Sequence, residues 1–281
     1  MIQKIYLEKI HYPGVSSDSS DAPWLPAAIR AFLIDLDGVL YTGNNPYPGV
    51  KECLQRMNEL GYGYRFVSNS TRRARDSVAA RLQVLGYDVS AEQIYTPPLA
   101  AIEHIKKSGK DRCFLLTTGD VHRDFEQAGI CISDEEVDYV VMGDAGDGFT
   151  FDRLNQALRF ILDGADILAL EMDRYWNEPQ GLVLSTGPFV AALEYATGKK
   201  ALLMGKPSRN FFELALHDLG IKPEEAAMIG DDILTDVHGA QEMGMHGILV
   251  KTGKYREEIA KRSGVKPNMI LQSMADLAEH L

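Results

Sequence analysis

Carboxylates follow two apolar runs of the chain that have the length of buried strands. Asp35 and Asp37 come directly after the run Phe-Leu-Ile, and Asp231 and Asp232 follow the run Met-Ile-Gly. Side chains at the carboxyl ends of parallel strands meet in the crevice where open α/β sheets bind ligands. Several carboxylates in one crevice repel each other unless a cation joins them, and hard oxygen ligands beside water and phosphate favour Mg²⁺. The sequence therefore predicts a Mg²⁺ site at this sheet edge.

Groups suited to binding phosphate accompany these carboxylates. Ser68 and Asn69 follow a third apolar run, and Lys206 lies in Gly-Lys-Pro directly before a helix that Ser208 is predicted to cap. A lysine ammonium offsets the charge of a phosphoryl group, while the Ser68 hydroxyl and nearby backbone N–H groups can hold its oxygens. Each short motif alone is common in turns and caps. Their joint occurrence at strand ends and a helix entry indicates a phosphoryl-transfer centre.

The elements that must position these groups alternate between short apolar runs and amphipathic stretches. This alternation is typical of βαβ units and a parallel sheet. Core strands are predicted at residues 31–34, 64–67, 226–229 and 247–250, and a second series of strands at residues 113–116, 139–142 and 167–170. We therefore predict an α/β protein in three parts: an N-terminal extension of residues 1–29, a discontinuous core of residues 30–97 and 200–281, and an inserted α/β domain of residues 98–199.

Composition excludes several classes of protein. The 281 residues carry a formal net charge of −11, which disfavours binding to nucleic acid or to an anionic membrane surface. The sequence has neither the apolar window of a membrane span nor the apolar run of a secretory signal. Its three cysteines are widely spaced and form no Cys-x-x-Cys pair, which fits a reducing compartment. We expect a cytoplasmic protein that binds neither nucleic acid nor membrane.

Four motifs in this order resemble those of the haloacid dehalogenase superfamily. They are Asp35-Leu36-Asp37-Gly38-Val39-Leu40-Tyr41, Val67-Ser68-Asn69-Ser70, Gly205-Lys206-Pro207 and Gly230-Asp231-Asp232-Ile233-Leu234-Thr235-Asp236. An insertion between the second and third motifs is similar to the NagD-like branch, which has a Rossmann-like core and an α/β cap. The stretches at residues 187–197, 174–175 and 250–254 resemble the group that contains phospholysine phosphohistidine inorganic pyrophosphate phosphatase and related hydrolase-domain proteins.

The resemblance implies a role for each motif residue. Asp35 is the implied nucleophile, which becomes an aspartyl phosphate, and Asp37 is the implied general acid and base. Mg²⁺ is expected on the Asp35 carboxylate, the Asp37 backbone carbonyl and Asp231. Ser68, the Asn69 backbone and Lys206 are expected to bind phosphoryl oxygens, while Asp232 and Asp236 orient metal-bound water or Lys206.

The cap is expected to select the leaving group of a small phosphorylated substrate. Its predicted contacts are the loop at residues 144–147 and the segment at residues 173–176. Within the second segment we favour Arg174, because a cation facing the crevice could attract an anionic leaving group. Relatives commonly pair through their caps, so a homodimer is the expected assembly.

Several other protein classes share some of these residues with a Mg²⁺-dependent phosphatase. A phosphorylated receiver domain lacks the second aspartate that turnover needs, and a dehalogenase needs neither Asp37 nor Asp231. The glycines at residues 143–148 have the wrong order for a dinucleotide fingerprint. A phosphoryl mutase and a non-catalytic phospho-ligand-binding protein keep the same motifs and remain open from sequence alone.

Overall fold

The computed structural model describes residue 26, residues 28–178 and residues 181–281. The predicted N-terminal extension lies outside these residues except for its positions 26, 28 and 29. The strands are β1 (Ala31–Asp35), β2 (Tyr41–Thr42), β3 (Asn45–Pro46), β4 (Gly63–Val67), β5 (Ile94–Tyr95), β6 (Arg112–Leu116), β7 (Cys131–Ile132), β8 (Tyr139–Met142), β9 (Asp166–Ala169), β10 (Tyr175–Glu178), β11 (Gly181–Leu184), β12 (Leu202–Leu203), β13 (Ala226–Gly230), β14 (His246–Val250) and β15 (Met269–Leu271).

Helices connect most of these strands. They are α1 (Val50–Glu59), α2 (Arg75–Val84), α3 (Pro97–Ser108), α4 (His122–Gln127), α5 (Phe151–Leu162), α6 (Thr186–Thr197), α7 (Arg209–Leu219), α8 (Gly239–Glu242) and α9 (Glu257–Ser263), with a π-helical segment at Ile233–His238. Among the described residues, no helix is both long and apolar enough to cross a membrane.

The larger sheet is parallel and has the strand order β15-β14-β13-β1-β4-β5. All five residues of β1 are buried, as expected for a strand covered on both faces. Alternate side chains of β1 enter opposite layers: Phe32 and Ile34 pack with α1 and α2, and Leu33 packs with α3 and α7. The prediction of an α/β parallel-sheet core is confirmed.

The second sheet is also parallel and has the order β12-β9-β8-β6-β7. It is built from the chain inserted between β5 and α7, as the predicted fold class requires. Its edge strand β12 pairs Leu202 with Leu168 of β9, so the inserted sheet extends beyond residue 199, where the sequence predicted the return to the core. One buried cluster contains Leu33 and Met228 of the core sheet with Val141 and Leu168 of the inserted sheet. The two sheets therefore share a packed layer.

The inserted part also stabilises the start of α2. The N-cap position of this helix is Ala74, whose side chain cannot accept a hydrogen bond from the first free N–H groups. Asp120 accepts from the Ala74 N–H at 2.9 Å, and Asp124 accepts from the Arg75 N–H at 3.1 Å. Carboxylates near a helix N-terminus also interact favourably with its dipole. These contacts fix the segment that runs from β4 into α2.

Candidate active site

The carboxyl ends of three neighbouring strands form the floor of a cleft. Strand β1 lies between β13 and β4, and its register places Asp35 opposite Val67 and Ile34 opposite Ile229. The residues that follow β4 and β13 therefore lie beside Asp35. The cleft has a volume of ≈ 440 Å³, and its floor includes Asp35, Asp37, Ser68, Asn69, Lys206, Asp231, Asp232 and Asp236. The structure thus brings all the predicted motif residues to one place.

Lys206 is the central cation of this floor. Its side chain is only 4% exposed, and its Nζ lies 2.5 Å from Asp35 Oδ1 and 2.7 Å from Asp236 Oδ1. Burial alone would lower the pKa of Lys206, but the carboxylates of Asp236 and Asp35 outweigh it and raise that pKa. Lys206 therefore remains a buried ammonium that is shared by two carboxylates.

Asn69 holds the backbone of Lys206 in position. Its Oδ1 accepts a hydrogen bond from the Lys206 N–H at 2.8 Å, and its Nδ2 donates to the Lys206 carbonyl at 3.1 Å. A Cβ on the neighbouring Gly205 would approach Asn69 Oδ1 to 2.8 Å, so only glycine fits this approach. Sequence analysis predicted a phosphate contact from the Asn69 backbone. The side chain has a different task, which is to join the second motif to the third.

Three buried carboxylates form a cluster that can hold a cation. Oxygens of Asp35, Asp231 and Asp236 all lie within 4.8 Å of one another. Burial, followed by the charges of Asp35 and Asp236, raises the pKa of Asp231 to about 8. Because the ammonium groups of Lys206 and Lys254 supply two positive charges against three carboxylates, a fully ionised cluster needs a further positive charge. Its oxygen donors suit a hard divalent ion such as Mg²⁺.

Asp231 is held against two glycines. Its Oδ2 accepts a hydrogen bond from the Lys254 N–H at 2.6 Å. A Cβ on either Gly38 or Gly253 would collide with this carboxylate, and both glycines have left-handed backbones, with φ +89° and +54°. The motif glycine after Asp37 is therefore required by space as well as by backbone conformation.

Asp37 faces the cleft from the turn that follows β1. Its backbone pairs with Tyr41, and the Gly38 N–H donates to the Tyr41 carbonyl at 2.7 Å. Burial and the neighbouring Asp35 raise the pKa of Asp37 above its usual value. A carboxyl group with this tendency to keep its proton is suited to donate it to a leaving group. The Asp37 carboxylate does not belong to the cluster of three.

Ser68 and Asp232 make local hydrogen bonds as well as lining the cleft. Ser68 Oγ accepts from the Ser70 N–H at 3.2 Å. Asp232 Oδ1 accepts from the N–H groups of Leu234 and Thr235 at 2.8 and 3.0 Å, which caps the π-helical segment. Its own N–H donates to Asp236 Oδ2 at 3.1 Å. Asp232 thus orients Asp236 through its backbone.

Arg174 is the predicted site residue that the structure does not bring to the cleft. Its side chain is exposed and is not among the residues that line the cleft, whereas Asp173 and Trp176 of the same segment are. The Arg174 carbonyl accepts a hydrogen bond from the Ser185 N–H at the entry to the β10–β11 hairpin. The hairpin was not predicted, and this pairing fixes how the segment meets the cleft.

Several residues of the cleft were missed by sequence analysis. On the core side they are Arg72, Arg73, Arg81 and Lys254, and on the side of the inserted sheet they include Glu171 and Ser185. The first two directly follow the motif Ser-Asn-Ser-Thr, and this proximity was the available signal. Glu171 follows strand β9 by two residues. Asp35 was identified because it follows a predicted strand, and the same reasoning would have identified Glu171.

Glu171 and Lys254 extend the charge pattern of the cleft. Glu171 is buried and accepts hydrogen bonds from the hydroxyls of Ser185 at 2.7 Å and Thr186 at 2.6 Å. Burial raises its pKa in spite of these bonds. Partial desolvation opposes the charged form of Lys254, but Asp35 and Asp173 outweigh it and raise the pKa of this lysine. Lys254 therefore carries positive charge between the floor and the inserted part.

Comparisons with known proteins agree with this arrangement. The family described as haloacid dehalogenase-like hydrolase matches residues 32–131, and the family described as HAD-hydrolase-like matches residues 203–277. Haloacid dehalogenase-like hydrolase domain-containing protein 2 of Homo sapiens is 41% identical over 254 residues, which cover 90% of this chain and 96% of that protein. Phospholysine phosphohistidine inorganic pyrophosphate phosphatase of Homo sapiens is 35% identical, covering 92% and 97%.

Solved structures share the whole architecture. The 4-nitrophenylphosphatase of Thermotoga maritima superimposes with a TM-score of 0.85 at 30% identity, covering 92% of this chain and 99% of that one. NagD of E. coli K-12 superimposes with a TM-score of 0.80 at 25% identity, covering 88% and 98%. These similarities, together with the four motifs on one cleft floor, establish that the chain belongs to the haloacid dehalogenase-like hydrolases of the NagD-like branch.

Proposed function

We propose that this protein is a Mg²⁺-dependent phosphatase that hydrolyses a small phosphorylated compound through an aspartyl phosphate on Asp35. The observation that carries the proposal is the position of Asp35. Its carboxylate ends a buried strand, is held 2.5 Å from the Lys206 ammonium, and belongs to a cluster of three carboxylates at the floor of an open cleft. A nucleophile, a cation for the phosphoryl oxygens and a place for a metal are thus adjacent.

The first half of the reaction transfers the phosphoryl group to the protein. An Asp35 carboxylate oxygen attacks phosphorus, and the bond from phosphorus to the leaving oxygen breaks as that oxygen takes the Asp37 proton. Lys206, the Ser68 hydroxyl and nearby backbone N–H groups offset the charge of the phosphoryl oxygens. The raised pKa of Asp37 supports this role, because the carboxyl group retains a proton to donate.

The second half returns the protein to its starting state. Asp37, now a carboxylate, takes a proton from water while the water oxygen attacks phosphorus. The bond between phosphorus and the Asp35 oxygen breaks, which releases inorganic phosphate and leaves Asp37 protonated. The same residue thus acts as acid and then as base, which requires the distance between Asp37 and the reacting oxygen to stay short in both halves.

The proposed metal residues are the carboxylates of Asp35 and Asp231 and the backbone carbonyl of Asp37. When bound, Mg²⁺ supplies positive charge that orients the phosphoryl group and stabilises its developing charge. The cluster supports this assignment, because Asp231 is buried beside two carboxylates and needs a compensating cation to ionise fully. Asp236 approaches the same cluster while contacting Lys206, so it balances the lysine charge as well.

The names of relatives support the substrate class. One relative is named for phospholysine, phosphohistidine and pyrophosphate, and the structural relative is named for 4-nitrophenyl phosphate. All are small phosphorylated compounds. A cleft of ≈ 440 Å³ can enclose a substrate of this size.

The first test is phosphate release from a panel of small phosphorylated compounds, with Mg²⁺ and again with EDTA. The panel contains 4-nitrophenyl phosphate, sugar and nucleoside phosphates, phosphoamides and pyrophosphate. We expect Mg²⁺-dependent release from at least one compound. No release by folded protein with Mg²⁺ present would contradict the proposal and favour a mutase or a binding protein.

The second test assigns the two aspartates. We expect Asp35→Asn to abolish turnover, whereas Asp88→Asn, an exposed aspartate outside the cleft, should retain it. Asp37→Asn should accumulate phosphoenzyme with 4-nitrophenyl phosphate, because this good leaving group needs little acid assistance while the attacking water still needs a base. Mass spectrometry of acid-quenched protein measures the added phosphoryl group. Wild-type turnover by Asp35→Asn would refute the nucleophile.

A further inference from the structure

The leaving group must lie beside Asp37, and apart from the nucleophile Asp35 the charges that act on Asp37 are cationic. This argument rests on the proposed function, since it takes Asp37 as the residue that protonates the leaving oxygen. Tyr41, Arg73 and Arg81 line the cleft together with Asp37, and the backbone of Tyr41 pairs with that of Asp37. The positive charges of Lys254 and Arg81 both act on Asp37 and favour its ionised form. The positive charge of this part of the cleft therefore influences which leaving group the site accepts.

Arg81 is fixed in position, and no described residue acts as its counter-ion within 4 Å. Its Nη2 donates to the Gly43 carbonyl at 2.7 Å, and its guanidinium lies 5.1 Å from the centre of the Tyr41 ring. The Nε atom of Arg81 is buried and has no acceptor, and no carboxylate of the described residues lies within 4 Å of this side chain. The guanidinium lines the cleft, so its other N–H groups can donate to an anion bound there.

Arg73 adds a second uncompensated cation to the same wall. Its exposed side chain lines the cleft and makes neither an ion pair nor a hydrogen bond within the described part of the chain. Burial and Asp37 raise the pKa of the Tyr41 hydroxyl, and the charges of Arg81 and Arg73 oppose this rise. Both arginines therefore act on one ring. Because α2 carries Arg81 and its N-cap residue follows Arg73, the carboxylates that cap α2 also fix the backbone that carries these cations.

Two other charged side chains of the cleft wall, Arg72 and Glu171, already have partners. Arg72 forms an ion pair with Asp144 at 3.1 Å. Across the cleft, Glu171 accepts two hydroxyl hydrogen bonds, and Asp173 acts on Lys254. Among the described residues, Arg73 and Arg81 are the arginines of the cleft that form no ion pair within 4 Å, and both act on Tyr41.

We propose that the substrate carries a second anionic group, a carboxylate or another phosphate, on its leaving group, and that Arg73 and Arg81 bind it. Guanidinium groups present paired N–H donors that match both anions. The reaction itself is unchanged: the leaving oxygen takes the Asp37 proton while the distant anion stays on the arginines. These two residues would then determine specificity, and Arg174 would not.

The test compares leaving groups of matched shape. The substrates are 4-carboxyphenyl phosphate, its neutral counterpart 4-carbamoylphenyl phosphate, and 1,4-phenylene bisphosphate. We expect kcat/KM for one or both anionic compounds to exceed that for the neutral compound by about 10- to 100-fold, the effect of one or two charge-assisted hydrogen bonds. The carboxylate and the bisphosphate arms show which anion is preferred.

Variants of the two arginines test whether they cause the preference for an anionic leaving group. Arg73→Gln and Arg81→Gln should each bring the ratio of kcat/KM toward one, mainly through KM, and Arg73→Lys should restore part of it. Arg159→Gln makes the same change of charge at an exposed position of α5 outside the cleft, and should keep the wild-type ratio.

Two results would overturn the inference while leaving the phosphatase intact. One is a wild-type ratio near one with the neutral compound hydrolysed, and the other is a high ratio that neither arginine variant lowers. Failure of folded, Mg²⁺-supplied protein to release phosphate from any of the three compounds would instead overturn the proposed function, and this inference with it.

Discussion

Replacing Gly253 by alanine should damage the metal site through a single methyl group. The new Cβ would overlap the Asp231 carboxylate and crowd the Gly38 backbone. Asp231 must then move and lose its hydrogen bond from the Lys254 N–H, at present 2.6 Å long. A hydrogen bond to a charged group contributes about 1.5–3 kcal/mol. If the proposed metal position depends on this orientation, kcat/KM should fall by about 10- to 150-fold, since 1.4 kcal/mol corresponds to a factor of ten.

A matched control separates this collision from backbone strain. Gly253 has φ +54° and Gly264 has φ +72°, but a Cβ on Gly264 would meet nothing within 4 Å. Alanine at either position pays about 1–2 kcal/mol for a left-handed backbone. Gly264→Ala should therefore lower only the free energy of unfolding. Gly253→Ala should lower it as well and should also require more Mg²⁺ for half-maximal activity.

The assay is a Mg²⁺ titration of 4-nitrophenyl phosphate hydrolysis, paired with urea unfolding of both variants. Equal activity and equal Mg²⁺ dependence in Gly253→Ala and Gly264→Ala would refute the reasoning. Asp231 would then not be held against Gly253, or its orientation would not matter to the metal.

Three further predictions concern buried charge and exposure. Lys206→Met leaves two buried carboxylates without their ammonium, so the free energy of unfolding should fall by about 3–5 kcal/mol in urea titrations; a loss below about 1 kcal/mol would contradict this. Burial raises the pKa of Asp124 to about 6 in the folded protein. Between about pH 4 and pH 6 this group ionises in the unfolded chain but keeps its proton in the folded one, so the free energy of unfolding falls as the pH rises through this range. Relative to wild type, Asp124→Asn, which keeps an oxygen to accept from the Arg75 N–H, should therefore gain on the order of 3 kcal/mol between pH 3.5 and pH 7, and an equal difference at both pH values would exclude this cause. Cys131 is exposed whereas burial raises the pKa of Cys113 to about 12, so a thiol reagent at pH 8 should modify Cys131 of the folded protein and spare Cys113, as mass spectrometry of peptides would show.

The parallel core could be predicted because its strands are buried on both faces. Such strands appear in the sequence as short apolar runs, and all four predicted core strands lie in the observed sheet. Short edge elements carry no comparable signal. Strand β12 has two residues, and the β10–β11 hairpin places Leu182 and Leu184 in exposed positions, so neither has a pattern that separates it from a loop.

Arg174 and Arg73 illustrate the limit of the same reasoning for the site. Both are arginines close to a predicted strand end, and sequence analysis favoured Arg174. The hairpin leaves Arg174 exposed outside the cleft, while the turn into α2 places Arg73 in its wall. The decisive contacts come from Asp120 and Asp124, more than 40 residues away along the chain.

The sequence by itself determined the fold class and the set of residues on the cleft floor, because a strand end fixes where the next side chains point. Only the tertiary structure decided how those residues interact. It joined Lys206 to Asp35 and Asp236, bound the Lys206 backbone to the Asn69 side chain, and brought Arg73 and Arg81 into the cleft that Asp37 lines. These interactions depend on distances between segments far apart in the chain, and local residue patterns contain no information about such distances.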